Sequence, residues 1–224
     1  MTVSKRDEAE TKKFLAEAAS FEAEREAYVA EAYYHRLQSE RLERARAEED
    51  AAVESQRILD FTSEVGYGSA RSAINTLAEW RAKDPGKPIT VRFLTPGGDA
   101  IPGLALYDYI RMLVAEGTPV TTVGIGMAAS MGAVLLQAGS TRLVTPSTWV
   151  LIHEISSVAA GRLSEMIDEA KWTERVQTRL LDILAEKSTM SKAAIKRKWM
   201  RKDWWLNAEE TVRLGFADAI AEIP

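Results

Sequence analysis

The amino-acid sequence predicts an α/β fold, because short apolar segments typical of strands alternate with longer segments of helical periodicity. This alternation begins near Arg57 and continues to the end of the chain. All thirteen glycines and all seven prolines follow residue 65, so the first part of the chain differs sharply in composition. We therefore divide the sequence into a charged helical N-terminal extension, residues 1–56, and an α/β domain, residues 57–224.

The extension is dominated by Ala, Glu, Arg and Lys, which are strong helix formers, and we expect one or two helices from about Lys5 to about Glu54. Apolar residues recur there at steps near three and four, as a narrow stripe: Phe14, Ala18, Phe21, Tyr28 and Ala32. One interpretation is a solvated extension that is removed after synthesis. The other is a helix that packs on a neighbouring subunit or partner. The sequence leaves both open.

The elements of the α/β domain follow from periodicity and from the turns that bound them. Apolar and polar residues alternate in Ile89–Leu94, and the turn Asp84–Gly86 ends the helix before it. The predicted strands are Ile58–Phe61, Ile89–Leu94, Val120–Ile125, Leu143–Val144 and Trp149–His153. The predicted helices are Ser69–Lys83, Pro102–Glu116, Ala129–Ala138, Leu163–Lys187, Ser191–Met200 and Ala208–Leu214.

Composition removes several classes of function. The absence of cysteine excludes a disulfide framework, a thiol nucleophile and a zinc–thiolate site. The net charge of -4 indicates no nucleic-acid partner, and no apolar segment is long enough to span a membrane. The charged N-terminus predicts no secretory signal. We expect a cytoplasmic protein.

The segment Gly124–Ala133 carries the candidate nucleophile, Ser130. A strand there ends in small residues, and the serine follows at the start of a helix. Small neighbours allow a substrate backbone to approach closely, and a helix N-terminus favours an oxyanion. A serine nucleophile needs such surroundings, although a helix N-cap serine would have the same local sequence.

A second glycine turn, Thr95–Asp99, follows the strand Ile89–Leu94. Successive glycines after a strand can direct backbone N–H groups at a ligand, although Pro-Gly-Gly is first of all a turn. Together, the two glycine-containing segments would supply hydrogen-bond donors from both sides of one carbonyl group.

His153 is the candidate general base, because the only other histidine, His35, lies in the charged extension. A serine hydroxyl becomes a good nucleophile when a base takes its proton, and histidine suits that role near neutral pH. A carboxylate usually orients the imidazole. The acidic residues considered for that role are Glu154, Asp168, Asp182, Asp203 and Asp218, and spacing alone does not choose among them.

The segments Gly126–Gly132, Thr95–Gly98 and Ile152–His153 together closely resemble the proteolytic subunit of the Clp protease family. The resemblance extends from about Arg57 to Ile220. It implies a crotonase-like fold of stacked ββα units with a long handle helix, which Gly161 would open. It also implies a homo-oligomer of stacked rings that encloses the active sites.

The resemblance further implies a Ser-His-Asp serine endopeptidase that cleaves polypeptides. The catalytic residues would be Ser130, His153 and Asp203, and the oxyanion donors would be the backbone N–H groups of Gly98 and Met131. No metal or organic cofactor is expected. The sequence has no G-x-x-x-x-G-K-[ST] loop, so any use of ATP would belong to a partner.

The sequence departs from the family pattern at several positions. Thr95 replaces the usual serine, Glu154-Ile155 replaces Gln-Pro, and Trp204-Trp205 is bulkier than usual. The long N-terminal extension shows no counterpart of the loops that meet an AAA+ unfoldase in the family. Such an unfoldase and phage capsid or scaffold proteins are the partners left open.

Four alternatives to a Clp-type peptidase of the cytoplasm follow. One is a phage head maturation protease of the same fold, located in the prohead. Another is a crotonase-type acyl-CoA enzyme, which also places two N–H groups on a carbonyl oxygen. The third is a non-catalytic ring scaffold. The fourth, a signal-peptide-peptidase-like enzyme, would use a lysine base and carry export signals.

Overall fold

The computed structural model describes residues 57–221, together with Arg25, Tyr28, Val29, Ala32 and Arg36 of the N-terminal part. The chain divides into two units, Met1–Ser55 and Gln56–Pro224. The five described residues of the first unit are helical and exposed. The other predicted features of that unit, including Phe14, Ala18, Phe21, His35 and the helix bounds at Lys5 and Glu54, lie outside the described residues.

The second unit contains seven strands and six helices among its described residues. The strands are β1 Ile58–Phe61, β2 Ile89–Thr95, β3 Val120–Ala129, β4 Thr141–Val144, β5 Trp149–Ile152, β6 Trp204–Leu206 and β7 Ala219–Ile220. The helices are α1 Tyr67–Lys83, α2 Ala100–Ala115, α3 Met131–Leu136, α4 Leu163–Glu186, α5 Lys192–Trp199 and α6 Ala208–Arg213. The predicted α/β fold is confirmed.

All the strands pair in one sheet. Strands β1, β2, β3, β4 and β7 lie in that order and are parallel. Strand β5 pairs with β3 in the parallel sense, and β6 pairs with β5 in the antiparallel sense. Helices cover parallel sheets of this kind, and Ile89, Val91 and Phe93 of β2 are accordingly buried, whereas Leu94 is exposed.

Strand β3 pairs with two different strands along the same edge. Its first half, Thr121–Gly124, pairs with β4, and its second half, Met127–Ala129, pairs with β5. On the other edge, β3 has three residues between Gly124 and Ala128 where β2 has only Leu94, so β3 bulges there. The bulge separates the two halves and lets the end of β3 approach β5.

The core lies between the sheet and the helices that cover it. Buried side chains of α1, α2 and α3 form one cluster with those of β2 and β3, and α4 and α5 add Ile183, Leu184 and Trp199. Among the described residues, no helix is both long and apolar enough to cross a membrane.

The predicted helices and strands recur with small shifts at their ends, and two strands were missed. Strand β6 has three residues and β7 has two, which is too short for a periodic pattern. The predicted end of β3 at Ile125 was wrong, because the strand continues past the bulge to Ala129. The glycines at 124 and 126 made this stretch resemble a turn.

Candidate active site

Ser130 lies in a sharp turn between β3 and α3. Its φ angle of 54° is in the left-handed region, which is rare for a residue other than glycine. Its backbone N–H donates to Leu151 O of β5 at 2.9 Å, which continues the pairing of β3 with β5. The Ser130 side chain makes no helix-capping hydrogen bond. The structure therefore does not support the N-cap alternative.

The Ser130 hydroxyl instead lies 2.7 Å from His153 Nε2. His153 directly follows β5, and its side chain is 25% exposed. This distance is short enough for a hydrogen bond between the hydroxyl and the imidazole. The strand pair β3–β5 thus places the predicted nucleophile and the predicted base in direct contact.

Asp203 immediately precedes β6. The antiparallel register pairs Ile152 with Trp204, so His153 and Asp203 lie at facing positions just beyond the ladder. Asp203 Oδ1 is 3.8 Å from His153 Nδ1, which is longer than a hydrogen bond, and the aspartate side chain is 63% exposed. Asp203 thus lies next to the imidazole but is too far from it for a direct hydrogen bond.

The other four acidic candidates bind elsewhere. Asp168 pairs with Lys171 at 3.6 Å, and Asp182 pairs with Lys192 at 2.6 Å. Glu154 accepts a hydrogen bond from the Arg201 N–H at 3.2 Å. Asp218 binds Arg142, with its Oδ2 2.7 Å from the backbone N of that residue.

The partner of Asp218 is a buried arginine of β4. The Arg142 guanidinium binds Asp218, Gln137 Oε1 at 2.7 Å and Gly215 O at 2.8 Å. Partial burial raises the pKa of Asp218, but hydrogen bonds and charge from Arg142 outweigh this and hold the pKa below its usual range. Asp218 therefore ties β4 to the C-terminal segment.

Gly98 pairs with Val65 in an isolated parallel bridge. The bridge uses the Val65 N–H, which donates to Gly97 O at 2.7 Å, and the Asp99 N–H, which donates to Val65 O at 2.8 Å. Because successive N–H groups of extended backbone point to opposite sides, the Gly98 N–H points away from Val65. Gly98 has a φ angle of 138°, and a Cβ atom there would lie 2.3 Å from Val65 O.

The start of α3 fits closely against the glycine turn. A Cβ atom on Gly97 would lie 2.6 Å from the Cβ atom of Ser130, and one on Gly132 would lie 2.6 Å from Thr95 Cγ2. Buried Thr95 also accepts a hydrogen bond from the Gly97 N–H at 3.1 Å. The glycines are therefore needed for close approach, and the turn and the nucleophile form one packed unit.

A cavity of about 140 Å³ opens beside Ser130 and His153. Apolar side chains from α3, β5, α4 and α5 form part of its wall: Val134, Ile152, Leu180, Leu184 and Trp199. Gly98 and Met131 also line it. The residues of α4 and α5 were not predicted to belong to the site, because only tertiary packing brings them there.

The described residues contain no group of three or more His, Asp or Glu side chains arranged to hold a metal ion. The Ser130–His153 contact, the nearby carboxylate and the cavity together are an arrangement that would suit acyl transfer by a serine nucleophile. Comparison with known proteins bears on this chemistry.

The sequence model of the Clp protease family matches residues 43–224. The chain is 34% identical over 176 residues to "ATP-dependent Clp protease proteolytic subunit 1" of Chlamydia pneumoniae, covering 77% of this chain and 90% of that relative. It is also 34% identical over 172 residues to "ATP-dependent Clp protease proteolytic subunit 3" of Synechococcus sp. strain CC9902, covering 75% and 84%. The resemblance found in the sequence is thereby confirmed, and the chain belongs to the Clp protease family, a family of serine-type peptidases.

Proposed function

We propose that this chain is a serine endopeptidase that cleaves polypeptides through an acyl-enzyme on Ser130. The observation that carries the proposal is the 2.7 Å contact between Ser130 Oγ and His153 Nε2, two residues that line the same cavity. An acyl-CoA enzyme of the crotonase type would have no need of this contact. A serine in a left-handed turn is strained, and such strain persists where the surrounding structure holds it.

The mechanism begins when the Ser130 oxygen attacks the carbonyl carbon of a peptide bond. His153 takes the hydroxyl proton through Nε2 and returns it to the nitrogen of the leaving amine, which breaks the bond. Water then attacks the acyl-enzyme, and His153 serves again as base. Ser130 is released with its proton, and the second product leaves as a carboxylic acid.

The oxyanion that forms during each step would be stabilised by the N–H groups of Gly98 and Met131. The Ser130 N–H is engaged by Leu151 O, so Met131 supplies the next donor along the chain. The Gly98 N–H points away from its bridge partner and belongs to a residue that lines the cavity. Donors of this kind typically contribute about 3 kcal/mol to lowering the barrier.

Asp203 would orient His153 and stabilise the imidazolium. The present 3.8 Å separation is longer than this role requires, so we expect the pair to close when substrate or neighbouring subunits order the exposed Asp203 segment. Replacement of Asp203 by Asn should therefore lower kcat by less than the loss of Ser130 does.

We further propose that the chain works as a ring-shaped homo-oligomer. The first turns of α4 present Leu163, Met166 and Ile167 to solvent, with exposures of 75%, 40% and 46%. Apolar residues in such a row are expected to be covered by another subunit. The relatives are named as proteolytic subunits of an ATP-dependent protease, so a separate unfoldase would supply the ATP-driven step here. Phage capsid or scaffold proteins are the alternative partners.

The test is labelling of the purified protein with a fluorophosphonate, followed by peptide mass spectrometry and a peptidase assay. We expect an adduct on Ser130, and we expect both labelling and cleavage to be lost in Ser130→Ala and His153→Ala. Ser156→Ala is the matched control, because Ser156 is another serine that lines the same cavity and has no role in the proposed mechanism. Peptide cleavage that survives in Ser130→Ala would refute the proposal.

A further inference from the structure

The two residues that follow His153, Glu154 and Ile155, connect its segment to neighbouring parts of the fold. The Glu154 carboxylate accepts a hydrogen bond from the Arg201 N–H at 3.2 Å. The Ile155 N–H donates to Gln177 Oε1 of α4 at 3.0 Å. The segment that carries the candidate base is thus held between residues 200–203 on one side and α4 on the other.

The ladder between β5 and β6 does not reach the two candidate catalytic residues. Its last pair is Ile152 with Trp204, so His153 and Asp203 lie beyond the backbone hydrogen bonds. Glu154 takes up a backbone N–H on the opposite segment just past that point. The Glu154 side chain therefore replaces a further backbone hydrogen bond of the ladder. It connects residues 200–203, here called the Asp203 loop, to the end of β5.

The Arg201 backbone is held in an unfavourable conformation. Its φ angle is 54°, in the left-handed region, where a residue with a Cβ atom is strained. The neighbouring N–H groups bond locally, from Met200 to Lys196 O and from Lys202 to Trp199 O, both at 3.1 Å. The hydrogen bond to Glu154 is the one that leaves the segment, so it fixes the loop relative to His153.

We infer that Glu154 is a positioning residue, which sets the distance between Asp203 and His153 by binding the Arg201 N–H. The inference rests on the proposed function, because it concerns the same catalytic pair. The His–Asp pair is 3.8 Å apart, the aspartate is exposed, and the pair lies beyond the last residue pair of the β5–β6 ladder, where the Glu154 bond adds a restraint. Loss of the Glu154 bond would let the Asp203 loop move away from the imidazole.

The test compares Glu154→Ala with Glu154→Gln in the full chain, at concentrations where both have the assembly state of the wild type. Both variants lose the charge, but glutamine keeps an acceptor oxygen, so their difference isolates the hydrogen bond. Glu174→Ala is the matched control, because Glu174 lines the same groove as Glu154. The first readouts are kcat and KM on a short peptide.

We expect Glu154→Ala to lower kcat about tenfold with little change in KM, since one hydrogen bond to a charged group is lost. Glu154→Gln should recover most of the rate, and Glu174→Ala should match the wild type. A merely structural role would lower the active fraction without recovery by glutamine. Equal rates in Glu154→Ala and the wild type, or in Glu154→Ala and Glu154→Gln, would overturn the inference.

Hydrogen exchange of residues 200–203, read by mass spectrometry, is measured alongside because it does not depend on catalysis. Faster exchange there in Glu154→Ala, but not in Glu154→Gln, supports the positioning role even if the wild type proves inactive. In that case the proposed function fails and the attachment of the loop stands. Unchanged exchange in Glu154→Ala would refute the attachment itself.

Discussion

Gly132 packs closely against Thr95. We therefore predict that the effect of Gly132→Ala on the free energy of unfolding depends on which residue stands at position 95. A Cβ atom on Gly132 would lie 2.6 Å from Thr95 Cγ2, which is far inside van der Waals contact. The next nearest atoms are Thr95 O at 3.6 Å and the Ala128 Cβ at 3.9 Å, and both are ordinary contacts. Thr95→Ser removes only the methyl group that collides, and it keeps the hydroxyl that accepts from the Gly97 N–H.

The magnitudes of the opposing effects can be estimated. Gly132→Ala alone forces a buried methyl group into an occupied site, which costs about 1–3 kcal/mol. It also replaces a helical glycine by alanine, which contributes up to about 1 kcal/mol of stability. In wild-type protein the collision dominates, and the free energy of unfolding should fall. In Thr95→Ser protein the collision is gone, so the same change should be neutral or stabilising.

The assay is urea unfolding of the four proteins of this double-mutant cycle, all at one protein concentration, so that the proposed assembly would contribute equally to each apparent stability. The coupling energy should be about 1–3 kcal/mol and should favour the double variant. Gly68→Ala is the control, because a Cβ atom there meets nothing within 4 Å and should be tolerated in both backgrounds. An equal cost of Gly132→Ala with and without Thr95→Ser would refute the packing argument.

The Arg142–Asp218 pair and Gly98 each give a further prediction. Because Arg142 holds the pKa of Asp218 below its usual range, that pair stabilises the fold above about pH 4, and its contribution is lost as pH falls through the folded-state pKa. Asp218→Asn should lower stability at neutral pH and remove this acid-dependent loss, as measured by urea midpoints across pH; an unchanged acid slope would contradict the assignment. Gly98→Ala should slow fluorophosphonate labelling of Ser130 at least about a hundredfold, because the new Cβ atom collides with Val65 O and displaces an oxyanion donor. Normal labelling of a folded Gly98→Ala protein would show that the Gly98 N–H is not used.

Much of the fold could be predicted because its signals are local. The helix Leu163–Glu186 has apolar residues at helical spacing along its length, and apolar and polar side chains alternate from Ile89 to Phe93 in β2. Periodicity of this kind needs no knowledge of partners. The end of β3 was mispredicted because its continuation depends on pairing with β5, a strand twenty residues further along the chain.

Some residues of the candidate site could likewise be predicted from local sequence, and others could not. Ser130 and the Gly97–Gly98 turn could be proposed from short sequence segments, because the two glycine-containing segments occur together and resemble those of a known family. His153 follows by elimination, because the α/β domain contains no other histidine. The cavity wall could not be predicted, because Leu180, Leu184 and Trp199 read as ordinary core positions of helices that are distant in sequence.

Asp203 shows most clearly what the sequence lacks. Five acidic residues were candidates from spacing alone, and the family resemblance selected this one. Its place beside His153 depends on β6, a strand of three residues whose pairing with β5 brings the two segments together. A three-residue strand carries no periodic signal, so its existence is determined by tertiary context. Because the β5–β6 ladder has only three residue pairs, an added contact such as that of Glu154 gains importance. In the proposed ring, the distance between Asp203 and His153 would then be the part of this site most open to control by assembly.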